Sequence, residues 1–393
     1  MKKSASANGS TSGIPNYEGP NVLENGLHRP SVLVFETSDK WGGIESFIAN
    51  EICPLRQWFD VYVVVQPGDN GIRERLPLPA NRLIEMEGRY GSVQYRRWLR
   101  ALLSRQFDIV HCNKNSLVKY LPITYAHRYS RSKIIIHSHN TSPSVNSPLA
   151  SLHYLVRSRI EVLADMRLAC SATAAQYMFG LHSEESHIIN NGIEIDTFTY
   201  CQQDRESVRK ELQISDSDVV LMNVGRFTEQ KNQTFLIDVF ERYNALNPSS
   251  MLVLVGEGEL RETIERQING LGLQHNVIIT GRRNDVQRFF SAADVVVFPS
   301  LYEGLPVTLV EAQANGVPIL ASSAITKESD ITGLIHFEGL DMGAEVWAKT
   351  LVSMETFVPD MAQRHAAAEV VRKNGYDRNN GVLQLKSIYE SLL

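Results

Sequence analysis

The sequence predicts an α/β protein of two doubly wound, parallel-sheet domains facing an interdomain cleft. Three observations predict it. Short runs rich in Val, Ile and Leu alternate with longer amphipathic segments, the alternation starts twice, and a polar, turn-forming stretch separates the two series. At 393 residues, 43% of them hydrophobic, the chain also exceeds what one hydrophobic core usually supports.

The elements follow in order. Residues 1–29 are rich in Ser, Asn, Gly and Pro without periodicity, and are expected to form a flexible extension. From Ser31 the strands VLVFE, VYVVVQ, DIVHC, KIIIH, RLAC and HIIN alternate with helices after Gly43, around Ser92 to Arg105, near Leu117 and across Leu149 to Leu163, and with a short one before HIIN. A second series starts at VVLMNVG (Val219 to Gly225) and runs through MLVLVG, NVIIT, DVVVFP and PIL. The seam is expected near Asn190 to Ser217, where the turn-forming NNG leads into polar sequence. The last segment, LQLKSIYESLL, reads as a helix that packs back on the first domain. The expected domains are therefore 30–197 joined by 379–393, and 198–378. In open parallel sheets ligands bind beyond the carboxyl ends of the strands, so a site is expected in the cleft.

Composition excludes several classes. A net charge of −5 argues against a general nucleic-acid binder, whose affinity rests on neutralising phosphates. Cys53, Cys112, Cys170 and Cys201 are scattered without a CxxC pair, so neither a zinc ribbon nor a disulfide framework is indicated, and a reducing cytoplasm fits best. No stretch approaches the roughly 18 apolar residues of a spanning helix, and the N-terminus lacks the apolar core of a signal peptide. A cytoplasmic protein, soluble or peripheral on a membrane, is the expectation. Residues 82–133 carry eleven Lys or Arg against three acidic residues, and YGSVQYRRWLRALLSRQ joins Arg96, Arg97, Arg100 and Arg105 to Tyr95, Trp98 and Leu102. Such a helix suits an anionic membrane surface with its aromatics at the headgroups. It equally suits an ordinary α/β helix with its apolar side on the sheet.

Four segments carry candidate chemistry. In PSLYEGLPVTLVEAQANGVPIL, Glu303 stands on a loop after a strand and Glu311, eight positions on, within the following helix. Gly304 permits close backbone approach, and the amides around Leu305 and Pro306 open a helix whose N-terminus attracts anions. In NVGRFTEQKNQTFLIDVF, Gly225 ends a strand and Arg226 and Lys231 follow it as two fixed cations. Taken singly, such residues are surface carboxylates and a solvated, helix-capping pair. Gly42 and Gly43 in DKWGGIESFIANEI let a backbone approach a ligand between the first strand and its helix; the spacing departs from GxGxxG, which disfavours a nicotinamide enzyme. His137 and His139 follow KIII, with no nearby carboxylate or thiol to complete a metal set. GRRNDV places Gly281, Arg282 and Arg283 in a further βα loop.

Together these segments resemble family 4 glycosyltransferases, retaining enzymes with the GT-B fold of two Rossmann-like domains. The segment Pro299 to Leu320 matches the family's EX7E arrangement, Gly225 to Lys231 its GRxxxxK element, and Gly42–Gly43 its GGxE loop; the likeness covers nearly the whole chain after about residue 30, NNGIEIDTF included. The resemblance implies that Glu311 hydrogen-bonds the donor ribose and that Glu303, with Gly304, Leu305 and Pro306, lies near the transferred sugar and diphosphate. It implies that Arg226 and Lys231 bind the diphosphate in place of a metal, that His139 positions the sugar, and that Arg282 lies where the nucleobase is read.

The implied reaction moves a sugar, with retention and without metal or cofactor, from a nucleoside-diphosphate sugar, UDP expected, to a glycan or polyprenyl-linked acceptor. The subgroup resembled builds bacterial exopolysaccharide or capsule. Two other readings stay open: a nucleotide-sugar epimerase or sugar synthase of the same architecture, and a non-catalytic nucleotide-sugar-binding subunit.

Overall fold

The computed structural model describes residues 29–37, 41–68, 70–141, 150–354 and 359–393. Apart from Arg29, the expected N-terminal extension lies outside them. The chain forms two compact units. One holds the chain up to Ser138, a stretch ending at Leu168, and Leu385–Leu393; the other holds the stretch starting at His139 and Ala169–Gln384.

The first sheet contains β1 (Ser31–Phe35), β2 (Asp60–Val65), β3 (Leu83–Glu85), β4 (Ile109–Lys114), β5 (Lys133–Ser138), β6 (Met166–Ala169) and β7 (His187–Ile188), in the order β3-β2-β1-β4-β5-β6-β7. Its pairs from β3 through β5 are parallel. The second contains β8 (Val219–Val224), β9 (Ser250–Val255), β10 (Val277–Gly281), β11 (Val295–Phe298), β12 (Ile319–Ser322) and β13 (Ile335–Glu338), in the order β10-β9-β8-β11-β12-β13, with every pair parallel. In both, strand order reverses once: between β1 and β4, and between β8 and β11. Those two switch points are where a ligand finds a crevice.

Alternation along β8 shows why the sequence makes this architecture. Val220, Met222 and Val224 join the core on one face of the sheet, while Leu221 joins the core on the other. Helices Gln202–Glu211, Val286–Ala292 and Val307–Asn315 cover the first face through Val208, Phe289, Phe290, Leu309 and Ala312. Gln233–Leu246, Arg261–Gly270 and Gly343–Met354 cover the second through Leu236, Phe240, Ile264 and Trp347.

An aspartate ahead of a strand pins register at both switch points. Asp108 accepts from the Ser31 amide at 2.7 Å, and Asp294 from the Val220 amide at 2.8 Å. Each carboxylate satisfies an amide at the open start of the neighbouring strand, which would otherwise lack a ladder partner.

Two strands escape the sequence pattern, β3 and β13. Both are short sheet edges, and each carries exposed or half-buried residues that blur the apolar run. For the helix Val93–Leu103 the structure decides between the two readings of its apolar side: Tyr95 and Trp98 are 2% and 3% exposed and Leu102 is fully buried, so these residues face the core and not a headgroup region. Arg96, Arg97 and Arg100 remain exposed. Among the described residues no helix is long and apolar enough to cross a membrane.

Candidate active site

In the second unit the loops after β8 and β11 meet at the switch point. The two strands pair only from Val295 to Val296, and beyond that the Asn223 side chain takes over, donating to the Val297 carbonyl at 2.8 Å. Gly225 and Arg226 follow β8, and a single helical turn, Glu229–Lys231, carries Lys231. Lys231 Nζ lies 2.6 Å from Glu303 Oε1, with the side chains only 18% and 10% exposed, and 4.6 Å from the centre of the Phe298 ring. The Lys231 stem runs against Gly225, where a Cβ would meet its methylenes at 3.4 Å. The fold thus brings together Lys231 and Glu303, which the sequence sets in two separate motifs.

Three contacts that sequence reasoning missed hold this pair. The Gln230 carbonyl accepts from the Leu301 amide at 2.8 Å, and its side-chain amide donates to the Tyr302 carbonyl at 2.9 Å. Asn232 donates to the Pro299 carbonyl at 3.2 Å. Asn232 stands in the left-handed region, φ 56 and ψ 40, which turns the chain sharply into helix Gln233–Leu246; asparagine is the side chain that tolerates this best after glycine. Gln233 is fully buried and donates to the Arg226 carbonyl, fixing the cationic loop from beneath. Arg226 itself is half-buried.

The loops after β8, β9 and β10 pack backbone on backbone. Gly256 has φ 153, and a Cβ there would lie 1.9 Å from the Gly225 carbonyl oxygen; at Gly258 it would lie 2.3 Å from that of Phe227. The Gly256 amide donates to the Gly281 carbonyl at 3.0 Å, and that of Phe227 to the Glu257 carbonyl at 2.9 Å. Glycines at these strand ends let main chain pack directly on main chain. The GEG that follows MLVLV was a legible sign of it.

Glu311 lies half-buried in helix Val307–Asn315, entered through Pro306 and closed by Gly316 at φ 72. It has no hydrogen bond or ion pair among the described residues, and burial pushes its carboxyl up to about 7. Glu303 and Glu311 are therefore held differently: one is matched by a cation, the other leaves its carboxylate to whatever enters. Leu305 and Pro306 are buried at the helix entrance.

His139 follows directly on β5 and groups with the second unit. A Cβ at Gly304 would stand 2.7 Å from the His139 carbonyl oxygen, so only glycine fits there; two residues on, the Thr141 hydroxyl donates to the Glu303 carbonyl at 2.8 Å. Burial holds the His139 imidazole down to about 3, neutral at physiological pH. His137 belongs elsewhere: its Nδ1 lies 3.2 Å from His111 Nε2, and its ring meets Phe47 edge-on at 4.6 Å.

Arg282 is exposed after β10. Arg283 is engaged in structure, bonding Asp285 at 2.8 Å and Glu211 at 3.1 Å and lying over Phe289. In the first unit the Gly42 amide donates to Glu45 Oε2 at 2.9 Å, and Gly43 is exposed with nothing within 4 Å of a Cβ position. No group of three or more His, Cys, Asp or Glu side chains converges among the described residues.

The family Glycosyl transferases group 1 matches residues 204–332, and Glycosyltransferase Family 4 matches residues 41–197. EpsF of Bacillus subtilis, a protein named as a glycosyltransferase, is 31% identical over 261 residues, which cover 65% of this chain and 67% of that protein. The Escherichia coli UDP-Gal:alpha-D-GlcNAc-diphosphoundecaprenol alpha-1,3-galactosyltransferase is 32% identical over 139 residues, 35% of this chain and 36% of its own. Among solved structures, Anabaena HepE in complex with UDP-glucose superposes with a TM-score of 0.75 at 19% identity, covering 92% of this chain and 99% of its own. A glycosyltransferase from Rickettsia africae superposes at 0.74 and 17% identity, covering 93% and 99%.

Proposed function

Because the chain belongs to glycosyltransferase family 4 and has the two parallel sheets of the GT-B fold, we propose that it transfers a sugar, with retention, from a UDP-sugar to a glycan or lipid-linked acceptor in cell-surface polysaccharide synthesis. The observation that carries this reading is the Lys231–Glu303 pair at the β8/β11 switch point, beside Gly225 and Arg226. UDP is favoured by the relatives: HepE holds UDP-glucose, and the E. coli galactosyltransferase is named for UDP-Gal and a diphosphoundecaprenol acceptor.

In this mechanism the diphosphate enters between Arg226 and Lys231. Both cations take up the charge that grows on the leaving phosphate, the part a metal plays in other transferases, so no metal or cofactor is needed. Entry of the diphosphate draws Lys231 partly from Glu303, which then faces the transferred sugar; Gly304, Leu305 and Pro306 bring main chain to the same place. Glu311 accepts from the ribose hydroxyls in its ionised form. His139, neutral, serves as a hydrogen-bonding partner for the sugar without adding charge. Arg282 lies by the nucleobase. The departing phosphate oxygen takes the acceptor proton on the same face of the sugar, which preserves the anomeric configuration. The exposed Arg96, Arg97 and Arg100 offer a purely electrostatic hold on an anionic membrane surface at the cytoplasmic face.

The test is mass spectrometry of products from a panel of nucleotide sugars supplied with a membrane extract. A sugar-extended lipid or glycan formed by the wild type and abolished in Glu303→Ala and Arg226→Ala supports the reading. Turnover without an external acceptor would point to an epimerase, transfer to a soluble sugar to a synthase, and intact glycan synthesis by both variants to a non-catalytic subunit.

A further inference from the structure

Three polar side chains from distant parts of the sequence meet in the core of the first unit: Tyr389 from the helix Arg378–Leu392, His111 from β4 and His137 from β5. All three are fully buried. Tyr389 Oη lies 2.7 Å from His111 Nδ1, and His111 Nε2 lies 3.2 Å from His137 Nδ1. None of the three has a part in the mechanism above.

The order of these contacts fixes where the protons sit. Burial pushes the Tyr389 hydroxyl above its ordinary range, so it keeps its proton, and among the described residues that hydroxyl bonds only His111 Nδ1. A buried O–H without an acceptor costs its full desolvation, so Tyr389 donates and His111 Nδ1 accepts. His111 then carries its proton on Nε2 and donates it to His137 Nδ1, which leaves the His137 proton on Nε2. A hydroxyl at one end of the line thus sets the tautomer of the ring at the other.

Such a line adds little stability, because apolar groups of the same shape could replace it at small cost; what it supplies is one defined geometry. That geometry borders the candidate site twice. The His137 ring meets Phe47 edge-on at 4.6 Å, at the joint where the helix Gly43–Phe47, opened by Gly42, passes into the π-helical turn Ile48–Ile52. Turns of that kind occur mostly at functional sites. β5 then ends at Ser138, one residue beyond His137, and His139 follows. The C-terminal helix also grips the far end of the same helical run: the Tyr389 ring lies 5.4 Å from that of Phe59, and Lys386 Nζ lies 5.4 Å from the centre of the Trp58 ring.

From this geometry we propose that Tyr389 is a positioning residue for sugar transfer: through His111 it fixes the tautomer and ring of His137, and with them Phe47 behind the Gly42–Gly43 turn and the course of β5 into His139. This role rests on the glycosyltransferase reading above and adds to it a residue from the end of the chain.

The experiment uses the full chain labelled with ¹⁵N in its histidine rings, where long-range proton–nitrogen spectra show which nitrogen bears the proton. His111→Gln and His137→Gln assign the two signals among eleven histidines. Transfer from the nucleotide-sugar panel is followed in parallel, with UDP binding by calorimetry. In the wild type both rings should be protonated on Nε2. Tyr389→Phe keeps the ring and removes the donor, so His111 should shift wholly or partly to the Nδ1–H form. Its kcat should fall about fivefold, the worth of one hydrogen bond, with UDP affinity unchanged. Lys386→Ala, which loosens the same helix without touching the line, should keep wild-type tautomers and rate. Either ring protonated on Nδ1 in the wild type, unchanged tautomers in Tyr389→Phe, or altered tautomers with an unchanged kcat would overturn the assignment. So would a Lys386→Ala chain as slow as Tyr389→Phe, or a parallel loss of UDP binding, since helix docking or general loosening would then explain the rate. In each of those cases transfer by the wild type leaves the glycosyltransferase reading standing. A wild-type chain with the expected tautomers that transfers no sugar would bring down that reading and the positioning role together.

Discussion

Lys231 and Glu303 lie 72 positions apart in the chain and 2.6 Å apart in the fold, at the point where strand order reverses in the second sheet. Glu36 and Lys114 stand in the corresponding place on the first sheet. Each pair uses the same opportunity: at a switch point two adjacent strands send their connections to opposite sides, and the gap between them admits side chains from both.

Replacing Lys231 by Ala should slow sugar transfer about 100- to 1,000-fold, the loss typical of one fixed group that stabilises developing negative charge. Donor binding by calorimetry should weaken less than the rate. An unchanged kcat would count against charge stabilisation by Lys231.

Glu311 has a carboxyl pushed up to about 7 from an ordinary 4.5, so the folded chain holds a proton there that the unfolded chain releases between those values. The sign follows: as pH rises from 4.5 to 7 the unfolded state gains, and the empty protein loses stability, by at most about 3 kcal/mol. Glu311→Gln should raise the melting temperature at pH 8 and leave it nearly unchanged at pH 4. Donor affinity should run the other way in the wild type, falling as pH drops through about 7, because the ionised carboxylate is the better acceptor. Calorimetric titrations at pH 6 and 8 check this, and a pH-independent affinity would contradict it.

The glycines separate packing from ligand approach. Gly256→Ala should destabilise by roughly 2–4 kcal/mol, since its Cβ would meet the Gly225 carbonyl at 1.9 Å. Gly43→Ala should leave the denaturation midpoint within experimental error, because no atom lies within 4 Å of the new methyl. If Gly43→Ala nonetheless weakens donor binding, the methyl is obstructing the ligand and not the fold.

Thr141 holds the Glu303 main chain through one hydroxyl. Thr141→Val keeps the shape and removes the bond, worth about 1 kcal/mol, so transfer should drop roughly fivefold while Thr141→Ser stays close to wild type. Steady-state kinetics of the two variants distinguish this from a role in packing, which serine, lacking the methyl, would also disturb.

Membrane attachment, if it runs through the helix Val93–Leu103, has to be electrostatic, since Tyr95 and Trp98 are buried. Flotation with anionic vesicles should be lost in an Arg96→Ala/Arg97→Ala/Arg100→Ala variant and in high salt, where surface charge is screened. Salt-resistant flotation of that variant would exclude this face.

The parallel strands at the centre of each sheet were legible in the sequence, because a strand buried on both faces is written as an unbroken apolar run. Arg226, Lys231, Glu303 and Glu311 stood out through motifs that resemble a family's, and the fold adds that Lys231 and Glu303 meet. The edge strands β3 and β13 were not legible, being too short and too exposed to leave a pattern. Nor were Gln230, Asn232 and Thr141, which reach main-chain carbonyls 67 to 162 positions away. A carbonyl belongs to every residue, so no sequence pattern marks one as a partner. Whether Tyr95 and Trp98 meet a membrane or the core was equally undetermined, since an amphipathic helix suits both until something is packed on its apolar side. The tertiary structure decided these points because they depend on which loops the two strand orders bring to the same end of a sheet.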